Sequence, residues 1–208
     1  MTLPEQFARA LEQLPLIAIL RGLTPQDAPS IGDALVRAGF GLLEVPLNSD
    51  RALDSISLLR RAHPDVLVGA GTVLTAAQVR AVQAAGGQLV VSPNFDAQVV
   101  RSAVELGMIS LPGILTPTEA FAALAAGAHG LKLFPAEMAT PSVIKALRAV
   151  LPVGTRLFPV GGVSAANIGA WKAAGADGFG IGSALYSPGK PAPAVHDDAM
   201  RFVAAYRE

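Results

Sequence analysis

Eight short apolar runs recur along this chain and constrain any fold it can adopt: residues 16–20, 42–47, 66–69, 88–92, 108–111, 130–134, 156–160 and 178–181. They are nearly continuous in apolar residues instead of alternating with polar ones, which is the pattern of strands covered on both faces in a parallel sheet. The segments between them are rich in alanine and open on helix-start signals: Thr24-Pro25-Gln26-Asp27, Thr75-Ala76-Ala77-Gln78, Thr116-Pro117-Thr118-Glu119 and Ser164-Ala165-Ala166-Asn167. Several close on glycine, at Gly39, Gly86, Gly107, Gly127 and Gly175, where a left-handed C′ residue ends a helix at little cost. Ile31, Ala34, Leu35 and Ala38 have the spacing of one apolar helix face. Eight β-then-α units of roughly 20 to 25 residues leave room only for short loops, so the expected architecture is a compact (β/α)8 barrel forming one domain over residues 1–208. A doubly wound open sheet is the alternative. Residues 1–13, with Phe7, Leu11 and Leu14 spaced on one side, read as an extra helix over the barrel's N-terminal mouth.

Composition narrows the partners. Sixteen basic and sixteen acidic side chains cancel with no basic block, which argues against nucleic-acid or membrane-surface binding and for a small-molecule substrate. With no cysteine, and with His63, His129 and His196 far apart in sequence, no metal centre is expected. The N-terminus lacks a basic stretch followed by an apolar one, and no apolar run reaches membrane-spanning length; the expectation is a cytoplasmic protein.

In a barrel the chemistry lies at the C-terminal ends of the strands. Lys132 sits in the sixth apolar run, Gly130-Leu131-Lys132-Leu133-Phe134-Pro135. Period-two alternation puts Lys132 and Phe134 on one face and Leu131 and Leu133 on the other; if the leucines pack on helices, Lys132 points inward. The same reasoning turns Leu43, Val45 and Leu47 outward and Glu44 inward. Burial favours the neutral amine, a nucleophile able to attack a carbonyl and form a Schiff base, and Glu44 is its candidate proton partner. The competing reading is a structural ion pair. The seventh and eighth runs end in Val160-Gly161-Gly162-Val163-Ser164 and Gly180-Ile181-Gly182-Ser183, turns whose backbone N–H groups, with the Ser183 hydroxyl, suit a phosphate. Arg21 closes the first run and could hold a carboxylate or phosphate. Thr72 offers a hydroxyl to the same pocket or a helix cap. Pro93 and Pro112-Gly113 shape the rim, Asn48 and Phe134 are possible pocket residues, and Glu137 is a weaker acid/base candidate.

The motifs Ile19-Leu20-Arg21-Gly22, Glu44-Val45-Pro46-Leu47-Asn48-Ser49, Gly69-Ala70-Gly71-Thr72-Val73, Leu131-Lys132-Leu133-Phe134-Pro135, Gly161-Gly162-Val163 and Gly182-Ser183 resemble the 2-keto-3-deoxy-6-phosphogluconate/galactonate aldolase family over nearly the whole chain. The resemblance implies a (β/α)8 class I aldolase, a homotrimer without metal or organic cofactor, that cleaves a phosphorylated 2-keto-3-deoxy sugar acid to pyruvate and glyceraldehyde 3-phosphate. It implies Lys132 as the Schiff-base lysine and Glu44 as proton shuttle. Arg21 and Thr72 resemble substrate-binding positions, and Gly161, Gly162, Gly182 and Ser183 the phosphate cradle. The gluconate branch typically reads Glu-Val-Thr-Leu-Arg-Thr after the second strand, with the arginine on the pyruvyl carboxylate. Pro46-Leu47-Asn48-Ser49 here, with Gly182-Ser183-Ala184-Leu185-Tyr186, looks like the 6-phosphogalactonate branch of galactonate breakdown. The 6-phosphogluconate aldolase and, from a different class, a phosphate-binding barrel isomerase or epimerase stay open at this point, as does a non-catalytic sugar-phosphate binder.

Overall fold

The computed structural model describes residues 2–208, so Met1 of the expected N-terminal helix lies outside the described residues. Strands and helices alternate after an initial helix: α1 (Leu3–Gln13), β1 (Leu16–Ile19), α2 (Ala28–Arg37), β2 (Leu42–Pro46), α3 (Ala52–Ala62), β3 (Leu67–Gly71), α4 (Ala76–Ala84), β4 (Leu89–Val91), α5 (Ala97–Glu105), β5 (Ile109–Leu111), β6 (Gly113–Ile114), α6 (Pro117–Ala125), β7 (Leu131–Leu133), α7 (Pro141–Val150), β8 (Leu157–Pro159), α8 (Ile168–Ala173), β9 (Phe179–Ile181) and α9 (Ala192–Arg207). All strand pairs are parallel, in a six-stranded sheet of order β5-β4-β3-β2-β1-β9 and a three-stranded sheet of order β6-β7-β8. Single links join the two sheets: His129 N–H donates to Ser110 O (3.0 Å), Asp177 N–H donates to Leu157 O (2.9 Å), and Val160 bridges Gly180. The sheet is therefore curled, with helices packed on its outer side.

The fifth apolar run, 108–111, forms β5, and a further short strand, β6, follows it beyond Pro112. Pro112 has no N–H to give a ladder, and the chain changes partner across it, β5 pairing with β4 and β6 with β7. Pro112-Gly113 is thus part of the sheet and not merely rim, for Gly113 stands in register with Lys132.

Helix ends follow local chemistry. Thr75 and Thr116 form the expected capping boxes with Gln78 and Glu119. The Thr24 and Ser164 signals fall one turn early. Thr24 Oγ1 donates to Asp27 Oδ2 (2.8 Å), which leaves Asp27 without a capping bond, and α2 starts at Ala28. Asn167 Oδ1 accepts from Ser164 N–H (2.9 Å) in a turn before α8. The five helix-ending glycines all take left-handed φ, for example +100° at Gly39 and +102° at Gly175.

Strand alternation divides the core in two. Leu16, Ala18, Leu43, Val45, Val68, Ala70, Leu131, Leu133 and Leu157 pack outward with helix residues such as Ile31, Leu35, Ile144 and Leu147. Ile17, Leu42, Leu67, Leu89, Ile109 and Phe158 fill the inner side, and Phe7 of α1 closes it at the N-terminal ends of the strands. Phe7 is 2% exposed, its ring centroid is 6.3 Å from that of Phe158, and the Arg156 guanidinium lies 5.3 Å from its ring. Leu11 lies on the same inner cluster, whereas Leu14 joins the outer one. Among the described residues no helix is long and apolar enough to cross a membrane.

Removing the Phe7 ring should open a cavity that α1 cannot collapse into. Phe7→Ala is expected to cost about 3 to 5 kcal/mol in urea unfolding; a loss below about 1 kcal/mol would show that α1 does not plug the inner core.

Candidate active site

Leu42 and Phe158 are inner residues, and parity then places Glu44 on the inner side of β2 and Lys132, paired with Phe158, on the inner side of β7. Leu131 and Leu133 do pack on helices, as the inward reading of Lys132 requires. Glu44 is 1% exposed and Lys132 6%. Burial pushes the Glu44 carboxyl up to about 7, against the pull of the Lys132 and Arg21 charges. Burial pushes the Lys132 ammonium down from its usual range; Glu44 resists that fall and Arg21 adds to it. The ammonium lies 4.5 Å from the centre of the Phe134 ring. Glu44 Oε2 is buried without a hydrogen-bond partner.

Two local features make room for this pair. Gly71, at the end of β3 and in register with Pro46, has no side chain because a Cβ there would overlap the Glu44 carboxylate. Arg21, just past β1, is held by the loop after β2: its Nη1 donates to Asn48 Oδ1 (2.7 Å), and the next residue, Gly22, donates its N–H to Ser49 Oγ (2.8 Å). Two consecutive residues of one loop thus pin two consecutive residues of its neighbour, and the guanidinium is kept where its charge reaches both Glu44 and Lys132.

A pocket of ≈ 620 Å³ opens here. Of the residues singled out from sequence, Arg21, Asn48, Phe134, Glu137, Gly161, Gly162, Gly182 and Ser183 line it. Gly161 and Gly162 take left-handed φ of +102° and +63°. Lys132, Glu44, Thr72 and Pro93 are not among the lining residues; Phe134 and Arg21, which are, stand against the buried Lys132–Glu44 pair. Thr72 sits next to Gly71 with a left-handed φ of +56°, rare for a threonine, and the Pro93 carbonyl packs on Gly113. Glu137, in the short turn after β7, lies in the pocket wall. Sequence reasoning missed the structural parts of Gly71 and Ser49. Gly71 has a legible signal, a glycine on the inner face beside an inward glutamate; Ser49 has none, because its partner is a backbone N–H 27 residues away. Tyr186 and Pro188 also line the pocket from the turn before α9. Among the described residues no cluster of three or more His, Asp or Glu side chains could hold a metal ion.

A buried amine and carboxylate on the inner side of one sheet, beside a pocket whose glycine turns are open to an anion, suit carbonyl chemistry on a phosphorylated small molecule. The chain belongs to the KDPG and KHG aldolase family, whose model matches residues 7–192. It is 50% identical over 193 residues to a probable 2-dehydro-3-deoxy-6-phosphogalactonate aldolase of Rhizobium meliloti (strain 1021), spanning 92% of this chain and 91% of that one. It is 48% identical over 197 residues to the 2-dehydro-3-deoxy-6-phosphogalactonate aldolase of Escherichia coli (strain K12), spanning 94% and 96%. A solved structure of native KDPGal superposes with a TM-score of 0.92 at 48% identity, over 94% of this chain and 95% of that one.

Because Glu44 binds its proton more tightly when folded, its contribution favours the folded state below the free-carboxyl value of 4.5 and is lost as pH rises through about 7. Glu44→Gln removes that loss. The variant is expected to be more stable than the wild type at pH 8, by up to about 3 kcal/mol, with the difference shrinking toward pH 4.5. Urea unfolding at both pH values checks this, and a variant less stable at pH 8 would contradict the burial account.

Proposed function

We propose that the protein is a class I aldolase that cleaves 2-dehydro-3-deoxy-6-phospho-D-galactonate to pyruvate and D-glyceraldehyde 3-phosphate, with Lys132 as the Schiff-base nucleophile. The observation that carries this reading is the inward Lys132, its amine pushed toward the neutral form, sharing one buried site with Glu44. The galacto substrate is favoured over the gluco epimer by the names of the relatives at 50% and 48% identity and by Pro46-Leu47-Asn48 after Glu44.

The steps follow from the groups. Neutral Lys132 Nζ attacks the C2 ketone, and Glu44, half-protonated near pH 7, gives its proton to the leaving hydroxyl as the carbinolamine loses water. The iminium draws electrons from the C3–C4 bond. Glu44 takes the C4 hydroxyl proton, the bond breaks, and the aldehyde departs, leaving an enamine. Protonation at C3 and hydrolysis release pyruvate and regenerate the amine. Gly161, Gly162, Gly182 and Ser183 hold the phosphate; Arg21, braced by Asn48, holds the C1 carboxylate. Thr72 contributes its hydroxyl at the edge of the site, and Pro93 supports β6 beneath Lys132. Phosphate binding energy then orients C4 against Glu44. No metal or organic cofactor enters the scheme.

In this reading residues 1–208 form one (β/α)8 barrel, β5 and β6 counting as one interrupted strand. The links from Ser110 to His129, from Leu157 to Asp177 and between Val160 and Gly180 support closure. The chain works as a homotrimer, in keeping with the resemblance and with exposed Val104 on α5, Leu106 just past its end and Phe121 on the neighbouring helix α6. It acts in the cytoplasm, because a doubly charged phosphate ester does not cross a bilayer unaided.

Incubation with pyruvate and borohydride should leave a reduced adduct on Lys132, found by peptide mass spectrometry. Active protein without it would be using proton transfer alone, as an isomerase would, and the Schiff-base proposal would fail. Glu44→Gln should lower kcat by about 10²- to 10⁴-fold. kcat/KM should favour the galacto over the gluco epimer at C4, and the reverse preference overturns the substrate assignment. Sedimentation equilibrium should give three times the chain mass; a monomer would contradict the trimer.

A further inference from the structure

Glu137 has no part in the scheme above, yet the chain goes to some length to place it. It lies in the 3-10 turn Ala136–Met138 after β7, and that turn is tied to the end of β8 by Ala136 N–H donating to Val160 O (2.9 Å). The side chain runs across the double-glycine turn. A Cβ on Gly161 would overlap the Glu137 carboxylate, and one on Gly162 would meet Glu137 Cγ at 2.9 Å. The two glycines therefore clear a path for this carboxylate as well as opening their N–H groups to an anion. Among the described residues the carboxylate has no hydrogen-bond or ion-pair partner. A carboxylate beside a phosphate cradle repels the phosphate it neighbours, so phosphate binding does not explain it.

Its location suggests what it binds. Glu137 lines the pocket between Phe134, whose ring touches the Lys132 ammonium, and Gly161-Gly162. On the aldolase reading, on which this step rests, the substrate lies with its C2 on Lys132 and its C6 phosphate on the glycine turns. The groups it carries between those ends that can donate a hydrogen bond are the C4 and C5 hydroxyls. The C4 hydroxyl belongs to Glu44. We propose that Glu137 is a specificity-determining residue that accepts a hydrogen bond from the C5 hydroxyl, which is the 2-hydroxyl of the aldehyde product. The phosphate holds the aldehyde in the pocket, and Glu137 distinguishes a 2-hydroxy aldehyde phosphate from one lacking that hydroxyl.

The test runs the reaction in the condensing direction, with pyruvate and either D-glyceraldehyde 3-phosphate or 3-oxopropyl phosphate, the same aldehyde without its hydroxyl. The readout is the ratio of the two kcat/KM values. Wild-type protein should prefer the hydroxylated aldehyde, and Glu137→Ala should reduce that preference by roughly 10- to 100-fold. Glu137→Gln keeps an acceptor oxygen in place and should retain part of the preference. Equal losses with both aldehydes, leaving the ratio unchanged, would overturn the proposal and reduce Glu137 to a structural element of the turn. Wild-type protein that condenses neither aldehyde would defeat the aldolase reading itself, an outcome visible before any variant is compared.

Discussion

Placing an ammonium and a carboxylate together on the inner side of a parallel sheet is costly, and much of the molecule is arranged around meeting that cost. Each charge leaves water on folding, and their mutual attraction offsets only part of the loss. The site answers in three ways. Both groups are moved toward their neutral forms, Glu44 up to about 7 and Lys132 downward. Gly71 gives up its side chain to seat the carboxylate. Arg21, braced by Asn48, adds a positive charge that favours ionised Glu44 and neutral Lys132 at once. That last combination suits the proposed pairing of a nucleophilic amine with a neighbouring base.

The division of labour along the strands follows from their pleat. Outward residues such as Leu131, Leu133, Leu43 and Val45 anchor the strands to the helices, and this fixes the direction of Lys132 and Glu44 between them. On the inner side the apolar filling of Ile17, Leu42, Leu67, Leu89, Ile109 and Phe158, plugged by Phe7, closes the N-terminal end. The pocket lies at the opposite end, where the loops after β1, β2, β7, β8 and β9 converge. The plug and the candidate site thus occupy opposite ends of the same sheet.

The strands, their parallel order and the inward aim of Lys132 and Glu44 were legible because they depend on local composition and on a period of two. Features that depend on contacts between distant segments were less so. Beyond Pro112 the chain makes the further strand β6, which pairs with a different neighbour from β5, and a run of apolar letters does not record that. Asp27 and Asn167 stand at the helix starts, but the Thr24 hydroxyl and the Ser164 N–H claim their side-chain oxygens, and the helices begin a turn after the Thr24 and Ser164 signals. Thr72 matches a family motif and yet lies outside the pocket lining, with a left-handed backbone that no run of residue types announces. Glu137, the weaker acid/base candidate, is brought into the pocket wall by a turn whose Ala136 N–H donates to Val160 O, a contact between segments distant in sequence.

The central claim is that Lys132 is electrostatically prepared before any substrate arrives, and titration of its side chain tests it most directly. In protein carrying ¹³C-labelled lysine, the Lys132 Cε resonance, assigned by its absence in Lys132→Met, should titrate below the free value of 10.5. Because the Glu44 charge holds the amine up and the Arg21 charge pushes it down, the midpoint should fall further in Glu44→Gln and rise in Arg21→Met. A Lys132 that titrates at the free-lysine value in all three proteins would contradict the account.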